Sequence, residues 1–246
     1  MKKRWTLLGI IVVVIIVGVS GINYKIYKEK QAQEVNATVM FPKSEETISK
    51  MEGNIAVVNN ANSILVLVNK SRRLPDHYKP QDLVIPNVRF LSEGNQEKKK
   101  MRKEAAAALE KMFQQGDKER IFLFAASGFR SFDRQKALNT MYKIQDGEAK
   151  TAMSSAVPGT SEHQTGLAMD ITSQSAKFQL ESVFGETKEG KWLAKNAHKF
   201  GFVIRYTKEK EGITGYRYEP WHVRYVGNPQ ATYLYENNLT LEEAIK

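Results

Sequence analysis

The stretch Ser161-Glu-His163-Gln-Thr-Gly166-Leu-Ala168-Met-Asp170 restricts the folds open to this chain more than any other. Read from Gly166 with the two-residue period of a strand, it puts Gly166, Ala168 and Asp170 on one face and Leu167, Met169 and Ile171 on the other. The face that carries the carboxylate has only small neighbours, which leaves room for an ion and a substrate. His163 lies upstream, with Gly166 between it and Asp170. A second set of donor residues follows at Glu219-Pro-Trp-His222. Imidazole and carboxylate together suit zinc, and catalytic zinc usually takes three protein ligands plus a water. His163, Asp170 and His222 would supply the three, leaving Glu219 free to handle protons.

At 246 residues with 41% hydrophobic content, the chain has ample material for a buried core. Its net charge is +10, from 37 basic and 27 acidic residues. A nucleic-acid partner would call for a concentrated basic stripe. The one dense run, Lys98 to Lys103, shares a predicted helix with Glu97, Glu104 and Glu110, and reads as a solvated face. No nucleic-acid partner is expected. The chain has no cysteine, which excludes disulfides and a lipid-modified cysteine.

Behind Lys2-Lys3-Arg4, residues Trp5 to Ile22 form a nearly unbroken apolar run, just long enough to span a bilayer. It also fits the hydrophobic region of a signal peptide, with Val19-Ser-Gly21 as a weak cleavage site. The expected organisation is therefore a membrane anchor or signal segment at 1–22, a polar spacer at 23–54 and a globular domain at 55–246. Such a protein would be extracytoplasmic, tethered to the cell membrane by its N-terminal segment, or secreted if that segment is cleaved. The oligomeric state is not legible; a monomer is the default expectation.

Along the globular part, Ile64 to Val68 and Ile121 to Ala125 read as buried strands. Between them, Ser71 to Asn87 holds three prolines and reads as an irregular connection. Gln96 to Gln114 is predicted as a helix with Met101, Ala105, Leu109, Met112 and Phe113 on one stripe, stopped by Gly116. Ser131 can cap a helix carrying Leu138, Met141 and Tyr142. Arg130 then sits just outside a helix N-terminus, where backbone N–H groups favour anions. Glu148 to Thr165 is a long loop; Thr187 to Lys199 is a helix stopped by Gly201. Phe202 to Tyr206 is a strand, followed by a charged loop from Thr207 to Gly215. Pro220 disfavours helical geometry at Glu219, so Glu219 is placed at a bend, with His222 and Arg224 alternating against Trp221, Val223 and Tyr225 along a strand. Thr240-Leu-Glu-Glu243 is a capping box. Mixed strands and helices without strict βαβ alternation point to α+β.

An open zinc position of this kind would polarise a carbonyl and lower the pKa of a bound water. Glu219 would take a proton from that water and pass it to a leaving amine. Arg130 would stabilise the developing oxyanion or grip a substrate carboxylate with its planar fork. The outcome is amide hydrolysis, at a chain end if Arg130 binds a terminal carboxylate.

The full strings, Ser161-Glu-His-Gln-Thr-Gly-x-Ala-x-Asp170, Glu219-Pro-Trp-His222-Val-Arg-Tyr225 and Ser127-Gly-Phe-Arg130-Ser, resemble the VanY-type zinc D-alanyl-D-alanine carboxypeptidases of peptidoglycan metabolism, including the L,D-carboxypeptidases of stem tetrapeptides. The resemblance covers about Ser63 to Gly227. It implies zinc ligands His163, Asp170 and His222, catalytic base Glu219, and substrate contacts from Arg130, Gln135, Ser161 and Tyr206. It also implies a small antiparallel sheet flanked by helices, the Hedgehog/D,D-peptidase-like fold, and peptidoglycan stem peptides as partners. D,D and L,D specificity stay open, and so does a zinc endopeptidase cutting within stem peptides. Arg130 could instead pair with Asp133 or Glu162, Gln135 and Ser161 could be a helix-surface group and a cap, and Tyr206 could be an ordinary strand aromatic. His77 and His198 read as surface residues.

Overall fold

A computed structural model describes residues 39–148 and 156–246 of the chain. The apolar run at 5–22, and with it the expected anchor, lies outside the described residues. Among the described residues no helix is long and apolar enough to cross a membrane.

The first strands are β1 (Ile48–Glu52), β2 (Ile55–Val58) and β3 (Arg72–Arg73), followed by β4 (Leu83–Val84) and β5 (Met101–Arg102). Helix α1 (Lys103–Lys118) and strand β6 (Phe124–Ser127) lead to α2 (Phe132–Asp146). After the loop come β7 (Ala168–Thr172), α3 (Lys188–Asn196), β8 (Phe202–Tyr206), the one-turn α4 (Glu211–Thr214) and β9 (Glu219–Tyr225). The short helices α5 (Gln230–Glu236) and α6 (Leu241–Ala244) complete the chain. The central sheet has the order β6-β7-β9-β8, antiparallel throughout. Two smaller sheets, β1-β2-β3 and β4-β5, lie outside it. The architecture is the expected mixed α+β one.

Hydrophobic burial explains most of the local choices. Helix α1 turns Ala105, Leu109, Met112 and Phe113 into the main core, which they share with Met169, Ile171 and Val223 from the central sheet and with Leu123 and Leu167 just before its strands. A second, smaller core gathers Leu67, Val226, Ala231, Leu234, Leu241 and Ile245. Thr187 caps α3 by accepting from the Gly190 N–H, and Ser131 caps α2 from Arg134. The capping box at Thr240 and Glu243 forms with both of its hydrogen bonds.

Several boundaries differ from the sequence expectation. Ile48–Glu52, inside the stretch read as spacer, is a strand paired antiparallel with β2, and Phe41–Lys246 is one compact unit. Ile64 to Val68 is buried toward its end but is not a strand: the carbonyls of Ile64 and Val66 accept from the Arg224 guanidinium. A charged side chain has replaced the neighbouring strand that a ladder would need. The first long helix begins at Lys103, because Glu97–Lys99 closes a 3-10 turn and Met101–Arg102 pairs with β4. It also runs through Gly116 to Lys118. The strand after it starts at Phe124, three residues later than read, and the loop from Thr207 contains α4.

Candidate metal centre and active site

The two inner strands of the central sheet carry Asp170 and His222. On the β7–β9 ladder Asp170 is directly opposite His222, and on the β6–β7 ladder it is opposite Ser127. Glu219 is the first residue of β9 and pairs with Tyr206 on the edge strand β8. The β8–β9 register shifts between Ile204 and Tyr206, which brackets Pro220. A proline cannot donate to a ladder and is accommodated at such an irregularity. Glu219, expected at a bend, is instead the paired first residue of the strand, beside this register shift.

His163 arrives on a 3-10 turn, Glu162–Thr165, that ends at Gly166 in the left-handed region with φ 68°. Only glycine takes that conformation at little cost, and a Cβ there would come within 2.9 Å of Leu83 Cδ2. The turn sets the His163 ring edge-on to that of His222, with centroids 4.9 Å apart. His163 Nε2 is 3.4 Å from Asp170 Oδ2, and His222 Nδ1 is 3.1 Å from Asp170 Oδ1. One donor atom from each of His163, Asp170 and His222 lies within 4.8 Å of the others, and all three side chains are buried. Two imidazoles and a carboxylate at this spacing are the donor set that zinc takes in open sites.

The far nitrogen of each ring has its own partner. His163 Nδ1 is 2.8 Å from the Gly128 carbonyl, which leaves Nε2 for the donor cluster. Gly128 is itself forced to be glycine, since a Cβ would lie 2.5 Å from the Lys100 carbonyl. His222 Nε2 is 3.2 Å from Glu162 Oε2.

The electrostatics divide these groups sharply. Burial pushes His163 below its ordinary value, with the Asp170 charge pulling the other way. Burial would lower His222 as well, but the hydrogen bonds to Asp170 and Glu162 outweigh it and raise the imidazole to about 9. Burial would raise Asp170, yet His163 and His222 hold it far below the carboxylate range. Glu219 goes the opposite way: burial raises it to about 7, with His222 and Arg130 pulling down and Asp170 and Glu162 pushing up. A carboxyl poised near neutrality can both accept and return a proton.

Arg130 follows the end of β6 and precedes Ser131, the cap of α2. Its Nη1 donates to Gln135 Oε1 at 2.9 Å, and its charge acts on both His163 and Glu219. It pairs with neither alternative carboxylate: Asp133 meets His77, and Glu162 meets Arg205 and Arg224. Gln135 is buried on α2 and donates through Nε2 to the Ala156 carbonyl at 2.7 Å, so it bridges Arg130 to the loop. Ser161 is buried at the start of the His163 turn and makes no capping bond. The buried Tyr206 ring lies 5.0 Å from that of His222, and its hydroxyl is pushed well up by burial. The structure thus gathers His163, Asp170, His222, Glu219, Arg130 and Tyr206, with Gln135 reaching the group through Arg130. Of the other histidines, His77 is exposed, and the partly buried His198 stacks on Tyr235 at 3.8 Å.

Four residues that sequence reading did not assign to the site stand behind it. Glu162 is fully buried, receives Arg205 and Arg224, and touches His222. Glu242 on α6 receives the other side of Arg205. The available signal was two arginines inside apolar strands, at Phe202-Val-Ile-Arg-Tyr and at Val223-Arg-Tyr-Val, since buried guanidiniums require buried countercharge.

Comparison with known proteins agrees with this geometry. The family model described as VanY, D-alanyl-D-alanine carboxypeptidase, matches residues 98–228. The YodJ protein of Bacillus subtilis (strain 168) is 52% identical over 196 residues, which covers 80% of this chain and 71% of that protein. The solved structure of the LdcB LD-carboxypeptidase is 50% identical, with a TM-score of 0.78 over 83% of this chain and 97% of that one. A structure of the vancomycin-resistance D,D-pentapeptidase VanY in complex with Zn(II) is 32% identical, with a TM-score of 0.59 over 74% of this chain and 98% of that one. The α+β fold and its converging imidazole and carboxylate donors are those of a carboxypeptidase-type site, and the chain belongs to the VanY family of carboxypeptidases.

Proposed function

We propose that this protein is a zinc carboxypeptidase that removes the terminal D-alanine from peptidoglycan stem peptides. The observation that carries the reading is the convergence of His163, Asp170 and His222 within 4.8 Å of one another beside a carboxyl held near neutrality, Glu219. Zinc bound by those three residues would supply a Lewis acid and lower the pKa of water. Glu219 accepts a proton from the attacking water and delivers it to the departing amine of D-alanine. Arg130, steadied by Gln135, receives the terminal carboxylate through its planar fork. Ser161 and Tyr206 contact the peptide. Likeness to an LD-carboxypeptidase at 50% identity, against 32% to a D,D-pentapeptidase, supports the L,D cut of a tetrapeptide over the D,D cut of a pentapeptide. The apolar run at 5–22 supports an extracytoplasmic domain tethered to the membrane, where such substrates are found.

Incubation with D-Ala-ended tetra- and pentapeptides, with and without a chelator, tests the reading. Chelator-sensitive release of D-alanine, faster from the tetrapeptide, is expected. No chelator-sensitive release from either refutes it. Amidating the peptide's C-terminus separates this activity from an endopeptidase, which would still cut.

A further inference from the structure

Among the described residues the most deeply buried ionic group has no part in the proton transfer proposed for Glu219. Glu162 and Arg224 are wholly inaccessible, and Arg205 nearly so. Arg205 Nε and Arg224 Nη1 both donate to one oxygen of Glu162, Oε1, at 2.7 and 2.8 Å. The other oxygen, Oε2, is thereby left facing His222 Nε2 at 3.2 Å. The guanidiniums are anchored in turn. Arg205 makes a bidentate pair with Glu242 on α6, at 2.8 and 2.6 Å, and Arg224 donates to the carbonyls of Ile64 and Val66. Two carboxylates and two guanidiniums balance in charge.

A carboxylate fixed beside Nε2 keeps the proton on that nitrogen, so that Nδ1, on the Asp170 side of the ring, is the nitrogen that would give up its proton to a metal. Imidazole ligands are commonly oriented this way, by a hydrogen bond from the nitrogen that does not face the metal. Among the described residues no other group meets Nε2: Nδ1 faces Asp170, and the ring contacts are the tilted Tyr206 ring and the His163 ring set edge-on. The equivalent task for His163 falls to a backbone carbonyl, that of Gly128.

We propose that Glu162 is the positioning residue of the metal centre: it sets the tautomer and orientation of His222, with Arg205 and Arg224 holding its carboxylate and Glu242 steadying Arg205 from α6. This rests on the zinc reading of the donor cluster. The link would make the C-terminal helix a structural support of the ligand set, two contacts removed from it.

The test compares zinc-loaded and metal-free protein. Glu162→Gln leaves two buried guanidiniums short of countercharge and endangers the fold, so Glu162→Asp is the main variant: it keeps the charge and withdraws the oxygens by one methylene. The expected result is native circular dichroism, zinc affinity in a competing chelator lowered about 10- to 100-fold, and altered visible bands in the cobalt-substituted protein. Thr187→Ala, which removes the cap of α3 and touches none of these residues, serves as the control for stability alone, lowering the melting temperature while leaving zinc affinity and the cobalt bands as in the wild type. Folded Glu162→Asp with wild-type zinc affinity and cobalt spectrum overturns the proposal. A second measurement needs no variant. Long-range proton–nitrogen NMR of the zinc-loaded wild type should show the His222 Nε2 protonated, and ligation through Nε2 overturns the proposal even if every variant fails to fold. Wild-type protein that takes up no zinc would instead sink the metal-centre reading, and this inference with it.

Discussion

Asp170 and His222 face each other directly across the β7–β9 ladder, with 3.1 Å between Asp170 Oδ1 and His222 Nδ1. The pairing register of two strands therefore sets the separation of two donors. Side chains alternate along a strand, so a slip of one residue would send either donor to the opposite face. The apolar residues that alternate with them, Met169 and Val223, are fully buried and hold that register. The core and the donor set are thus fixed by one alternation.

Replacing Asp170 tests the donor set. Asp170→Asn keeps the volume and the strand but removes the charge between two imidazoles. Zinc affinity should fall by more than the roughly 10- to 100-fold expected for an orienting residue, since a ligand itself is altered. Zinc content after dialysis against a chelator, measured beside the wild type, checks it. Undiminished zinc with native circular dichroism would remove Asp170 from the ligand set.

Arg130 is expected to read the free end of the substrate. Its guanidinium is planar and held by Gln135, and a lysine ammonium cannot reproduce a two-pronged contact with a carboxylate. Arg130→Lys should lower kcat/KM on D-Ala-ended peptides by about 10- to 100-fold, the size of one charged hydrogen bond. Gln135→Ala should act in the same direction and more weakly. Kinetics with free and amidated peptides settle the point, because a general loss of folding would not depend on the terminal carboxylate.

Much of the candidate site was legible because its residues are chemically distinctive and close in sequence to strand-forming runs. His163, Asp170, Glu219 and His222 stand out by type, and alternation along β7 and β9 gives the faces of Asp170 and His222; His163 lies on the turn before β7, outside that alternation. The network behind them was not legible. Glu162 meets Arg205, Arg224 and, through Arg205, Glu242, partners 43 to 80 residues away on different elements, and only the folded chain brings them together. The same cause hid the conformation of Ile64 to Val68. Its composition is that of a strand, but its carbonyls are taken by the Arg224 side chain. Likewise β1 lacks an apolar face to betray it; four of its five residues are exposed, and hydrogen bonding to β2 alone defines it.

Gly166 should prove intolerant of any side chain. Its φ of 68° costs an L-residue of order 1 kcal/mol or more, and the added Cβ would press on Leu83 and Arg102. Gly166→Ala should destabilise the protein by about 1–3 kcal/mol in urea unfolding. Because the turn it closes carries His163, zinc affinity should drop along with stability. Wild-type values of both would show that the turn can relax without moving the ligand.

Glu219 should separate activity from stability. As the proposed base, its replacement by glutamine should cost about 10²- to 10⁴-fold in kcat while zinc stays bound. The stability effect has the opposite sign. Burial holds this carboxyl at about 7, against an ordinary 4.5, so the native state keeps a proton that the unfolded chain has already released. Where the unfolded state binds fewer protons, stability falls as pH rises. Metal-free wild type should thus lose stability on going from about pH 5 to about pH 8, by an amount on the order of 3 kcal/mol from this group. Glu219→Gln cannot ionise and escapes that loss. Urea unfolding of both metal-free proteins should find them nearly equal at the acid end, with the variant the more stable at the alkaline end. An advantage for the wild type at about pH 8 would mean that Glu219 is held ionised by its neighbours, and that it is not the poised base of the site.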